Sequence, residues 1–199
     1  MAQIPVEFFA GDKKAGIDIM FFRFIKESDE KNSDFLFFSR ARGVADYQMT
    51  KSTNLPSFGL TEAISYNPKA FYGFAPVAVL QFFNSGVFPK AGVQYALQKK
   101  NLTLFTWLVT ETLKDPNMDY FLLLRYTPAL NDHINLYTQL ECNNTLPLQQ
   151  QNKYNFVQRL RLGMMLQQWQ FGLAADFSQN GRGTFITTTN TGIFLRMEL

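Results

Sequence analysis

Tyr154-Asn-Phe-Val-Gln-Arg-Leu-Arg-Leu-Gly-Met-Met-Leu-Gln-Gln-Trp-Gln-Phe-Gly-Leu-Ala-Ala-Asp-Phe177 decides the fold. Tyr154, Phe156, Leu160, Leu162 and Met164 share one parity, interrupted by Gln158, while Asn155, Arg159, Arg161 and Gly163 share the other. After Gln167-Gln168 the alternation resumes. Trp169, Phe171, Leu173, Ala175 and Phe177 alternate with Gln170, Gly172, Ala174 and Asp176. A period of two over some ten residues is the mark of a strand with one apolar and one polar face. Two such runs joined by a short polar turn make an antiparallel hairpin.

The pattern recurs along the chain. Ile193, Leu195, Met197 and Leu199 form one face at the C-terminus, Ile134, Leu136 and Leu140 another, and Ala91, Val93, Tyr95 and Leu97 a third. Eleven segments qualify, at 15–26, 34–47, 57–67, 70–84, 88–99, 101–113, 118–128, 132–142, 153–166, 168–178 and 188–199. A short twelfth at 4–10 is accepted because single-chain bacterial barrels have an even strand number. The expected fold is all-β: a closed antiparallel transmembrane β-barrel of twelve strands, with ten as the alternative, over a single domain 1–199. Each segment is about the 9–11 residues that a membrane-spanning strand needs. Turns are expected to be short on one rim, as at Lys99-Lys100-Asn101, and loops longer on the other, as at 84–89, 143–153 and 178–187. The polar linker at 27–33 does not fit that pattern.

The totals agree. The chain has 199 residues, 18% of them charged and 16% aromatic, including 21 Phe. The charged share is below the roughly 25% of ordinary globular domains. No charge occurs over 70–89, yet Pro76 and the Phe, Tyr and Val content favour strand over helix there. Net charge is +3, too even to suggest nucleic acid. Cys142 and His133 are the only residues of their kinds, which leaves little for metal, cofactor or triad chemistry. No signal peptide is visible, so the chain reads as a mature exported one.

Which face meets lipid decides between a membrane barrel and a soluble lipocalin-like ligand binder. Several apolar faces carry no charge at all, and the opposite faces mix Gly, Ala, Gln, Asn and Arg. Such a mixture suits a crowded lumen better than a solvated surface, and eight lipocalin strands would leave segments unused. Tyr and Trp, including Trp107, Tyr137 and Trp169, are expected towards segment ends as interfacial belts. The last strand, Thr191 to Leu199, is similar to the C-terminal insertion signal of outer-membrane barrels, with Leu in place of the usual Phe. With Phe35-Leu-Phe-Phe-Ser-Arg40, the run from Asp119 to Pro128, and Arg159-Leu-Arg-Leu-Gly163, the chain resembles small outer-membrane barrels of the Bacteroidota. More distantly it resembles the Tsx-like nucleoside channels. The resemblance implies a bacterial outer-membrane location.

Strand parity aims Arg40, Arg42, Asp46, Asp119, Arg125, Glu141, Arg159, Arg161, Asp176, Arg196 and Glu198 at the lumen. Two readings follow: an arginine-lined passage for small polar or anionic solutes, or a salt-bridge network that fills a closed lumen. The first makes the protein a narrow diffusion channel. The second makes it a non-conducting structural barrel that packs with another envelope protein, for which the Phe35–Phe38 run offers a patch. A lipid hydrolase is the weakest reading, since no serine forms a motif with His133. Outer-membrane lipid is the expected surrounding.

Overall fold

The computed structural model describes residues 4–27, 32–48, 56–113, 117–149 and 152–199. Parts of the expected connections at 27–33, 48–56, 114–117 and 143–153 lie outside them. Twelve strands close into one antiparallel barrel: β1 (Pro5–Gly11), β2 (Lys14–Lys26), β3 (Asn32–Asp46), β4 (Ser57–Tyr66), β5 (Phe74–Phe83), β6 (Gly86–Lys99), β7 (Leu102–Glu111), β8 (Asn117–Tyr126), β9 (Ile134–Pro147), β10 (Tyr154–Leu166), β11 (Trp169–Arg182) and β12 (Thr184–Glu198). Each strand pairs with its neighbours in sequence, and β1 pairs with β12 to shut the ring. Closure leaves no edge whose backbone groups would face hydrocarbon unpaired. Both described ends meet at one rim, where Ile4 and Leu199 exchange backbone hydrogen bonds of 2.8 and 3.0 Å.

The alternation sets the two faces. In β10 and β11, Arg161 and Gln170 are buried while Leu162, Leu173 and Phe171 are exposed. Charge is therefore inside and hydrocarbon outside, the reverse of a soluble ligand-binding barrel. Among the described residues no helix is long and apolar enough to cross a membrane, which says nothing against strands. At the end-bearing rim the exposed aromatics include Phe35, Tyr66, Phe71, Tyr72, Phe74, Tyr126 and Trp169.

The lumen is packed in two halves. On the β2–β8 side, Phe38 stacks on Phe105 at 5.2 Å and meets Trp107 edge-on at 4.9 Å, with Phe121 closing the group. Met20, Leu36, Val77, Val79 and Leu123 surround them. On the β9–β12 side a smaller set, Phe9, Tyr137, Ala174 and Phe194, leaves room for polar side chains. Glycine brings strands together where β10 meets β11: a Cβ on Gly172 would stand 2.2 Å from the Leu162 carbonyl oxygen.

Four expectations need correction. Trp107 and Tyr137 are interior residues, 4% and 1% exposed, not belt residues. Phe35-Leu-Phe-Phe38 is no continuous patch, because Leu36 and Phe38 point inward while Phe35 is exposed. Cys142 does not end a strand, since β9 runs on to Pro147. The contrast of short turns and long loops holds at 100–101 and 167–168 but breaks down elsewhere. Asn84-Ser85 alone links β5 to β6, and Gly183 alone, at φ 74°, links β11 to β12, whereas 67–73 and 127–133 on the other rim are longer. The segment 178–187 reads as loop because Ser178 to Thr184 carries polar residues or glycine on both faces, which erases the period. Its pairing is nonetheless continuous to Arg182–Thr184, helped by a 2.7 Å bond between the Ser178 and Thr188 hydroxyls.

Candidate functional site

A cavity of about 650 Å³ opens at the rim away from the chain ends. Its walls come from the β1–β2 turn (Lys13, Lys14), the ends of β3 to β5 (Asp46, Phe58, Phe83) and the tall β11–β12 hairpin (Ser178, Thr188, Thr189). Asn190 fixes the near wall. Its side-chain oxygen accepts from the backbone N–H of Lys13 and Lys14, at 2.9 and 3.0 Å. Five cationic side chains line the vestibule, Lys13, Lys14, Arg40, Arg42 and Arg159, against two carboxylates, Asp46 and Asp176. A cleft with such an excess of one sign concentrates counter-ions.

Its floor is an ion-pair network spanning the barrel. Arg40 on β3 donates to Glu141 on β9, at 2.7 Å, and to Asp18 on β2. Glu141 also receives Arg159 of β10. Arg42 donates to Asp176 of β11 at 2.8 Å, and Asp176 accepts from Arg161 at the same distance. Arg161 reaches across to Glu7 of β1, 2.9 Å away, and lies over the Phe9 ring. Glu141 and Asp176 thus each join an arginine of β3 to an arginine of β10. Four guanidiniums meet four carboxylates, so each buried charge has a partner, as interior ions require. Arg42 Nη1 and Arg159 Nε nevertheless find no hydrogen-bond acceptor among the described residues.

Beneath the floor the polar track continues on the β8–β12 side. Gln139 Oε1 accepts from Arg125 at 3.0 and 2.9 Å and from the Tyr137 hydroxyl at 2.8 Å. Arg196 donates to that hydroxyl at 3.1 Å. Arginines are therefore spaced from the vestibule towards the opposite rim, beside the aromatic half of the lumen.

The residues singled out from sequence fall into three places. Arg40, Arg42, Glu141, Arg159, Arg161 and Asp176 make the floor. Arg125 and Arg196 lie in the lower track. Asp46, Asp119 and Glu198 stand apart: Asp46 faces Lys14 at 3.7 Å at the rim, Asp119 is buried against Lys90, and Glu198 ends β12. Glu7, Asp18, Lys90 and Gln139 were not singled out. Parity does place Glu7 and Asp18 inward, but on the two strands whose register was least evident. His133 is an exposed turn residue whose backbone N–H donates to Asn131 Oδ1. No group of three His, Cys, Asp or Glu among the described residues could hold a metal ion.

No protein-family model matches the chain, and no curated protein matches it. Among solved structures it is similar to a KdgM porin in complex with disordered oligogalacturonate. The TM-score is 0.55 at 10% identity, over 99% of both chains. At that identity the likeness is one of fold. It agrees with the strand order: the chain has the closed twelve-stranded architecture of a porin-like β-barrel.

Proposed function

We propose that this protein is an outer-membrane, porin-like barrel that admits small anionic solutes from its basic vestibule. The observation that carries this is the vestibule floor, where Arg40, Arg42 and Arg159 stand beneath Lys13 and Lys14. The apolar outer wall supports a membrane location, and an even-stranded closed barrel fits a bacterial outer membrane. The KdgM porin was solved with an acidic sugar chain, and the hydroxyl-bearing wall of Ser178, Thr188 and Thr189 suits a hydroxylated anion here too. The finer resemblance to Bacteroidota barrels and Tsx-like channels adds no residue to this site. Enzymatic chemistry is no part of the proposal.

A second reading has its own support. The Arg40–Glu141 pair and the Phe38–Phe105–Trp107 packing both cross the lumen, so the same architecture suits a sealed barrel that serves an envelope partner. Conductance of the purified protein in planar bilayers under a salt gradient separates the two. Discrete anion-preferring steps are expected, brief in the wild type and larger once a floor carboxylate is removed. Clean insertion without conductance, in both wild type and the Glu141→Gln, Asp176→Asn double variant, would leave the sealed barrel.

A further inference from the structure

Below the vestibule floor, two arginines converge on one neutral oxygen. Gln139 Oε1 accepts from Arg125 Nε and Nη2 at 3.0 and 2.9 Å and from the Tyr137 hydroxyl at 2.8 Å, and Arg196 Nη1 stands 3.5 Å from it. An amide oxygen has two lone pairs, so four donors over-subscribe it. Both guanidiniums also lie against the Tyr137 ring, 5.8 and 5.9 Å from its centre. Two like charges thus share one amide and one phenol.

The charge around them does not balance. Glu7 is the register partner of Arg196 but is bonded to Arg161 at 2.9 Å. It belongs to the floor, where four carboxylates already answer four guanidiniums. Glu198 lies on the inward parity of β12, two residues beyond Arg196, and pairs with neither arginine among the described residues. The lower lumen is therefore one positive charge in excess.

It also holds unmet donors. Arg196 is 3% exposed, and its Nε finds no acceptor among the described residues. Gln170 is 0% exposed, and neither atom of its amide is hydrogen-bonded there. The two are register partners on β11 and β12. Arginine Nε and glutamine Nε2 each follow Cδ, so these N–H groups have the same reach from the wall. Buried donors side by side, next to an uncompensated guanidinium, are what a small anion requires.

We propose that Arg196, Gln170 and Arg125 hold a chloride-sized monovalent anion just inside the end-bearing rim. Arg125 is one residue from the end of β8 and only half-buried, which gives the ion a way in and out. The burial of Arg196 and Gln170 favours a bare halide over a bulky oxyanion. The inference deepens the anion-passage reading, on which it rests, by giving the lumen a second station beyond the Arg40–Glu141 pair.

Thermal loss of the folded band, in chloride and in gluconate at equal ionic strength, tests it. An ion that binds only the folded barrel raises the midpoint, and gluconate is too large to substitute. The wild type is expected to unfold about 3 °C higher in chloride. Gln170→Leu leaves every charge in place and should cut that difference about threefold, as should Arg196→Gln. Arg42→Gln, at the vestibule, should keep it. In crystals soaked in bromide, an anomalous peak is expected beside Arg196 Nε. No difference between the salts in the wild type would mean that water satisfies these donors, and overturns the proposal. So does a difference that Arg42→Gln removes and Gln170→Leu keeps, which would put the ion in the vestibule. Should Arg196→Gln fail to fold, Gln170→Leu and the bromide peak still decide. Either negative result leaves the vestibule standing, because planar-bilayer conductance tests the passage separately.

Discussion

Arg40 Nη1 on β3 lies 2.7 Å from Glu141 Oε1 on β9, and these strands stand six places apart in the ring β3-β2-β1-β12-β11-β10-β9. In a closed ring of twelve that is the full width of the lumen. A bond of this length between opposite walls divides and narrows the lumen at its level. Glu141→Gln removes the charge but keeps the shape, and frees Arg40 and Arg159 towards the vestibule. The expected outcome is a several-fold rise in anion-selective conductance in planar bilayers. Breaking a buried pair from one side also costs about 3–5 kcal/mol, so the folded band on unheated gels should be lost at a lower temperature. Unchanged conductance in a correctly inserted Glu141→Gln protein would count against this pair as the closure.

The vestibule makes a separate prediction. Arg159 and Arg42 line it, and each keeps an N–H without an acceptor among the described residues. Arg159→Gln and Arg42→Gln should each weaken binding of a small oxyanion such as pyrophosphate, measured by calorimetry in detergent, by about tenfold. Lys100→Gln removes the same charge from the other rim and should change it little. The affinity should also fall as salt is raised. Equal losses for Lys100→Gln and Arg159→Gln would mean that net charge, not this floor, attracts the anion.

Gly172 tests the packing of the wall. Its missing side chain lets β10 and β11 close up, since a Cβ would stand 2.2 Å from the Leu162 carbonyl oxygen and 2.4 Å from the Gly163 Cα. Gly172→Val therefore forces the two strands apart where thirteen residue pairs should align. The expected result is loss of the heat-modifiable folded band and no recovery of barrel from inclusion bodies. Gly183→Ala concerns only a left-handed φ at an exposed turn, with nothing within 4 Å, and should refold with about 1–2 kcal/mol lost.

Much of the fold was legible because a barrel wall writes itself as a period of two. Arg159, Arg161 and Asp176 declared their side by alternating with Leu160, Leu162 and Phe177, and they do meet in space. What periodicity does not carry is which strand faces which across the lumen. The Arg42–Asp176 and Arg161–Glu7 pairs join positions 134 and 154 residues apart, and only closure and stagger bring them together. Phe38 and Trp107 misled for a related reason: a lumen filled with aromatics makes a strand apolar on both faces, so parity loses its contrast. The Ser178–Thr184 run hid its strand in the opposite way, by carrying polar residues or glycine on both faces.

Lys90 and Asp119 give the last test, outside the vestibule lining. The two side chains are buried, 8% and 4% exposed, and pair between β6 and β8, across β7. Glu111 is the register partner of Lys90 and is buried as well. Lys90→Met therefore strands two carboxylates, whereas Asp119→Leu leaves Lys90 beside Glu111. The first should lose about 3–5 kcal/mol and the second clearly less. The double variant should recover only part of the loss, because it removes the stranded Asp119 charge but leaves Glu111 buried without Lys90. Thermal loss of the folded band across this double-mutant cycle measures the coupling. Anion selectivity should stay at the wild-type value in all three variants, which distinguishes a structural pair from the floor arginines. A selectivity change in Lys90→Met equal to that of Arg159→Gln would place Lys90 on the solute path and extend the passage to the β6 wall.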